Sequence, residues 1–251
     1  MKLRNRVALV TGAGQGVGRG IALALGAAGA RVVLVGRTLS TLNAVADELR
    51  AAGGDAMAVV ADATDRTQIR TAVATVSDTW GRLDVLVNSA YEPRVGLFDD
   101  LSADDASADW TSGFTGPLRC MQSCFELLRA AKGCVINIGA ATGLKPDTTT
   151  FSFYASTKEA LRSLTRTAAI EWGPHGVRVN MVIPLAKSPA FDLWGERNPE
   201  EYRINLESIP LKYLGDPQHD VGPGVVFLAS DDAHYLTGTT LMLDGGRGYL
   251  R

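Results

Sequence analysis

The sequence predicts an α/β fold, a doubly wound sheet of about seven parallel strands flanked by helices on both faces. Three observations predict it. Short apolar runs rich in β-branched residues recur along the chain, segments with apolar residues at three- and four-residue spacing alternate with them, and a glycine-rich turn directly follows the first run. The runs are continuously apolar rather than alternating, as strands covered on both faces require.

The first strand is Val7 to Val10. Together with the basic MKLRNR before it, this run imitates an export signal, but it stops at Thr11 and Gly12, too short for such a segment or for a membrane span. A helix over Gly18 to Ala28 leads to strand Arg31 to Val35, and a helix over Leu39 to Ala51 leads to strand Ala56 to Val60. The alternation continues through helix Asp65 to Trp80, strand Leu83 to Val87, helix Gly116 to Ala131 and strand Cys134 to Ile138. Helix Phe153 to Trp172 and strands Val177 to Val182 and Thr239 to Leu243 complete it.

Residues 1–251 read as one domain, without repeat or interdomain linker. One stretch breaks the rhythm. Leu185 to Leu214 is rich in proline and charge and carries Trp194, Tyr202 and Tyr213. Insertions after strand C-termini border the ligand crevice of open α/β sheets, so residues 185–214 are expected to form a substrate lid.

Composition narrows the partners. Lys plus Arg number 25 against 27 Asp plus Glu, a net charge of −2, which offers no basic footprint for nucleic acid or an anionic membrane. A small-molecule ligand is expected. The three cysteines, Cys120, Cys124 and Cys134, cannot all pair and fit a reducing, cytoplasmic setting. Cys120 and Cys124 share a helix face but lack further ligands nearby, and His175, His219 and His234 have no metal spacing, so no metal site is expected. Asp99, Asp100, Asp104 and Asp105 read as a solvated cluster at a helix start.

The turn Thr11-Gly12-Ala13-Gly14-Gln15-Gly16-Val17-Gly18 leads straight into a helix. Its glycines allow a tight turn, close approach of a pyrophosphate to the backbone, and exposure of helix N-terminal N–H groups, a Rossmann-type nucleotide cradle. By itself such a turn is equally a structural strand-to-helix connection. Its company decides the reading. Thr-Gly-x-x-x-Gly-x-Gly at Thr11 to Gly18, Asp62, Asn88-Ser89-Ala90, Tyr154-x-x-x-Lys158, Asn180 to Pro184, and Leu236-Thr237-Gly238 to Asp244-Gly245-Gly246 together resemble the short-chain dehydrogenase/reductase family over nearly the whole chain.

The resemblance implies that Gly12, Gln15, Gly16, Val17 and Gly18 hold the pyrophosphate. It implies that Asp62 and Ala63 hold the adenine edge, that Asn88 and Ala90 lie along the adenosine ribose, and that Pro184 and Leu185 border the nicotinamide. Asp62 also reads as a simple turn carboxylate. An acidic residue at the end of the second strand would bind a ribose diol, but Gly36 and Arg37 stand there, and a guanidinium without a competing carboxylate favours a 2′-phosphate. NADP(H) is therefore expected over NAD(H). Gln15 stands against this, where NADP-preferring relatives often carry a second basic residue, and Arg37 also reads as a solvated residue entering a helix.

Tyr154 and Lys158 stack on one helix face, where a nearby ammonium lowers the phenol pKa toward a useful range. By resemblance Tyr154 exchanges the proton on substrate oxygen, while Lys158 tunes it and binds the nicotinamide ribose. The family's catalytic serine aligns with Ala140 and its proton-relay asparagine with Gly113. Tyr91 and Leu185 stand where the family has glycine, and Thr142 and Ser152 are candidate substitute hydroxyls. The expected function is an NADP(H)-dependent oxidoreductase moving hydride to or from a carbonyl or alcohol, with an atypical active site. The alternatives are a redox-neutral dehydratase or lyase and a non-catalytic nucleotide-binding partner subunit. Aromatics in the lid, with Tyr91 and Phe153, point to an apolar or ring-containing substrate. The resemblance implies a homo-oligomer, dimer or tetramer, built through the two long helices.

Overall fold

The computed structural model describes residues 1–144 and 150–248; the remainder of the predicted domain lies outside the described residues. Seven strands form one sheet: β1 Val7–Thr11, β2 Arg31–Gly36, β3 Asp55–Val60, β4 Val85–Asn88, β5 Cys134–Ile138, β6 Arg178–Pro184 and β7 Thr240–Leu243. They pair in the order β3-β2-β1-β4-β5-β6-β7, every pair parallel. Chain order reverses between β1 and β4, so a crevice opens there beyond the strand C-termini.

Strand side chains alternate between two cores. Ala8, Val10, Val32 and Leu34 point to one face and meet Ile21 and Leu25 of α1 (Gly16–Ala27), Leu42 and Leu49 of α2 (Leu39–Ala51), and Val225 of α9 (Gly222–Ala229). Val7, Leu9, Val33 and Leu86 point to the other, against Ile69 and Val76 of α3 (Arg66–Trp80), Met121 and Leu128 of α5 (Gly116–Ala131), and Ala168 of α6 (Ser152–Trp172). With no water on either side, a polar side chain in these strands needs a partner inside the protein, as Asn88 and Asn137 find in each other. The continuous apolar runs follow from this.

Between β4 and α5 the chain forms α4 (Ala103–Trp110), closed at its start by a reciprocal Ser102–Asp105 capping box. Asp104 and Asp105 thus lie in a first helical turn, as expected of the acidic cluster. Thr111–Thr115 then widens into a π-turn, with the Gly116 N–H reaching back to the Thr111 carbonyl. Pro117 lacks the N–H that would bond the Gly113 carbonyl, and the wider turn absorbs the break. Residues 185–214 contain two short helices, α7 (Pro189–Arg197) and α8 (Pro199–Glu207), each begun by a proline. No helix among the described residues is long and apolar enough to cross a membrane.

Candidate active site

The glycine turn lies at the switch point. The Thr11 hydroxyl accepts the backbone N–H groups of Ser89 (3.0 Å) and Ala90 (3.1 Å), tying the end of β4 to the turn. Gly12 has φ +67°, and a Cβ there would come within 2.8 Å of Ala90 Cα. A Cβ on Gly18 would meet the Gly12 carbonyl oxygen at 2.3 Å. Close packing of strand, turn and helix therefore requires glycine at both positions.

Beyond the turn lies a cleft of about 700 Å³, bordered by Gly12, Gln15, Gly16, Val17 and Gly18. Gln15 is the N-cap of α1 but makes no side-chain cap bond, which leaves first-turn N–H groups facing the cleft. The residues present fit a dinucleotide, because backbone donors at a helix N-terminus and a backbone free of Cβ atoms are what a pyrophosphate needs. Arg37, Asp62, Ala63 and Ala90 also line the cleft. Asp62 has a local role as well, since its Oδ1 accepts the Thr64 N–H (2.8 Å) and hydroxyl (2.7 Å).

Of the other expected cofactor contacts, Asn88, Tyr154, Lys158, Pro184 and Leu185 do not border the cleft. Asn88 is buried behind the cleft, where its side-chain amide donates to Asn137 Oδ1 (2.8 Å), and Asn137 donates in turn to the Thr165 hydroxyl (2.9 Å). Its side chain stitches β4 to β5. Leu185 exchanges backbone hydrogen bonds with Leu243 and Gly215, and neither it nor Pro184 borders the cleft; Ser188, Pro189 and Ala190 at the start of α7 do so instead.

At the reaction end, Tyr154 and Lys158 sit one turn apart on α6, and Lys158 Nζ donates to the Ile138 carbonyl (2.9 Å). Lys158 does not point at the Tyr154 phenol. Its ammonium lies 4.3 Å from the centroid of the Tyr91 ring and 5.9 Å from that of Tyr154. The Tyr91 and Tyr154 rings are tilted at 5.1 Å. Burial, reinforced by the Asp109 charge, pushes the Tyr154 phenol up to about 12, whereas proximity to lysine led us to expect it to fall. Burial also pushes the Lys158 ammonium down to about 8, with Asp109 opposing.

Gly113 explains the place of Tyr91. A Cβ on Gly113 would lie 2.4 Å from Thr157 Cγ2 and 2.5 Å from Tyr91 Cε2. The missing side chain is the space that the Tyr91 ring uses. The Tyr91 phenol then donates to Asp109, a fully buried carboxylate on α4. Ala140, at the end of β5, is buried and carries no donor.

Known proteins match this chain over nearly its whole length. The profile of a family described as enoyl-(acyl carrier protein) reductase matches residues 12–247. A 12alpha-hydroxysteroid dehydrogenase from a Clostridium species is 35% identical over 251 residues, covering 97% of this chain and 96% of that protein. The chain belongs to the short-chain dehydrogenase/reductase family. A meso-2,3-butanediol dehydrogenase from Serratia marcescens is 34% identical over 248 residues, 98% of this chain and 96% of that one. A short-chain dehydrogenase from Burkholderia cenocepacia, solved in complex with NADP, superposes with a TM-score of 0.89 at 30% identity, covering 98% of this chain and 99% of the other.

As a short-chain dehydrogenase the chain carries two side chains at its site that the sequence reading missed. Glu92, the residue after Tyr91, holds Arg37 through Oε2 (2.9 Å) and Arg94 through Oε1 (3.3 Å). These guanidinium groups hold its carboxyl below the ordinary range. Arg37 therefore has the competing carboxylate that the end of β2 lacks. Asp109 is the second. A lone acidic residue near a helix end gives no local sign of burial, and only the meeting of α4 with Tyr91 creates its environment.

Proposed function

We propose that the protein is an NADP(H)-dependent oxidoreductase that moves hydride to or from a carbonyl or alcohol on an apolar, ring-containing small molecule. One observation carries this reading: Tyr91, which lines the glycine-built cleft together with Arg37, packs its ring against both the Tyr154 ring and the Lys158 ammonium. When bound, the nicotinamide supplies or accepts the hydride. The α1 amides would hold the pyrophosphate, and Arg37, now paired with Glu92, would meet a 2′-phosphate. In reduction, Tyr154 gives its phenolic proton to the substrate oxygen, and the Lys158 ammonium stabilises the phenolate left behind.

Ala140 brings no second donor to that oxygen, and a missing transition-state donor typically lowers rate by about 100- to 1,000-fold. A substrate with its own hydroxyl beside the reacting carbon offsets part of this loss. Phe191, Trp194 and Tyr202 stack between α7 and α8 with ring centroids 5.3 to 6.3 Å apart, an apolar wall in the lid. The steroid-acting relative supports a cyclic alcohol or ketone.

The test pairs nucleotide binding with turnover. NADPH fluorescence titration is expected to give micromolar binding, and a panel of cyclic ketones NADPH oxidation. Tyr154→Phe is expected to lower kcat by about 1,000-fold with NADPH affinity retained. Binding without turnover in the parent, unaltered by Tyr154→Phe, would instead favour a nucleotide-binding partner role.

A further inference from the structure

Asp109 takes no part in the chemistry just described, and its burial calls for an explanation. Its side chain is fully buried; Oδ1 accepts the Tyr91 phenol, and Oδ2 has no hydrogen-bond partner. A carboxylate with half its acceptor capacity unmet is a poor packing residue, since an apolar side chain of that size would sit there at less cost. Against the same Tyr91 ring lies the buried Lys158 ammonium, 4.3 Å from the ring centroid, with one N–H taken by Ile138. Two buried, opposite charges thus touch one aromatic ring, which fits only because residue 113 has no side chain.

We propose that Asp109 is a positioning residue for the reaction: a buried countercharge that, held through Tyr91, keeps Lys158 protonated beside Tyr154. Tyr91 is the coupler. Its phenol fixes the carboxylate, and the negative face of its ring meets the ammonium. The titratable and charged groups facing this cluster are Tyr154 on α6, Asp109 on α4, and Tyr91 and Arg94 in the segment after β4. Burial leaves the Asp109 carboxyl above its ordinary range, and the Tyr91 phenol, the Arg94 backbone and guanidinium and the Lys158 ammonium each pull it back toward its charged form. Burial lowers Lys158, and Asp109 restores part of the loss. Without Asp109, Lys158 would lose its proton at lower pH and with it the ability to stabilise a phenolate.

This inference rests on reading Lys158 as part of the acid–base pair, but its test reads the lysine directly. The full chain is labelled with 13C at lysine Cε and titrated by NMR. Six lysines contribute signals, and the one absent from Lys158→Met belongs to Lys158. The parent signal is expected to titrate near pH 8. Asp109→Asn keeps an acceptor for Tyr91 but removes the charge, and is expected to lower that midpoint by about one pH unit. The double variant Tyr91→Phe with Asp109→Leu removes donor and acceptor together, is expected to lower the midpoint likewise, and provides a folded variant if the asparagine destabilises. A midpoint unmoved in either folded variant overturns the proposal, because a merely structural Asp109 alters thermal stability and leaves the Lys158 midpoint in place. A lowered midpoint in a chain without NADPH turnover would leave the countercharge standing and remove only the oxidoreductase reading.

Discussion

At the pyrophosphate end of the cleft the working groups are backbone amides on one continuous stretch, Gly12 to Gly18, whereas at the reaction end they are side chains delivered by the β4 terminus, α4, the π-turn and α6. The first end tolerates little change because its geometry is made by absent side chains: two of its glycines would drive a Cβ into backbone. The second end is packed by exchange between elements, since Tyr91 occupies what Gly113 leaves open and Asp109 meets its phenol. A backbone site changes only by breaking. A side-chain site can trade volume and charge between elements.

The comparison is broken most directly at Gly18. Gly18→Ala places a methyl group against the Gly12 carbonyl at 2.3 Å, and the turn must shift. Expected are a loss of NADPH affinity of about 100-fold, near 3 kcal/mol, and a lower Tm, read by fluorescence titration and thermal unfolding. Unchanged affinity would show that the turn does not hold the nucleotide.

The trade at the reaction end is tested by a double-mutant cycle. Gly113→Asn alone forces its Cβ against Tyr91 and Thr157 and is expected to cost about 1–3 kcal/mol of stability by denaturant unfolding. With Tyr91→Gly already in place, the same substitution should cost about 1 kcal/mol less. Additive effects would mean that the two positions are independent. Placing an asparagine at residue 113 therefore requires removing Tyr91 as well.

The smallest expected effect lies where the ends share a side chain with solvent. The Arg37–Glu92 pair is exposed on both sides, so Glu92→Gln is expected to raise the preference for NADPH over NADH by only about 2- to 5-fold, and less at high salt. Comparing the two affinities at low and high salt checks it. No change at low salt would mean that Arg37 does not face the 2′-phosphate.

The strand runs were legible because a parallel strand covered on both faces is mostly apolar, with a polar side chain such as Asn137 only where a partner meets it; Cys134 to Ile138 and helices Leu39 to Ala51 and Gly116 to Ala131 match their predicted bounds. α9 gave no amphipathic period because Val225, Leu228 and Ala229 are buried in one core while Val226 and Phe227 also pack against it, and its Gly222-Pro223-Gly224 start resembles a loop. The two helices of residues 185–214 carried a readable signal, proline after Ser188 and after Asn198, but their short length left no apolar stripe. Asn88 was placed in the cleft from its position after β4. Its direction depended on Asn137, on the neighbouring strand.

By itself, then, the sequence determined the strand order's raw material, the glycine cradle and the Tyr154–Lys158 spacing, because each depends on residues within a turn or two of one another. Only the tertiary structure decided that Glu92 would hold Arg37 across 55 positions, that Tyr91 would fill the gap at Gly113, and that Asp109 would lie buried against both. Charge and volume act through space, and a chain position carries no record of which distant side chain will stand opposite it.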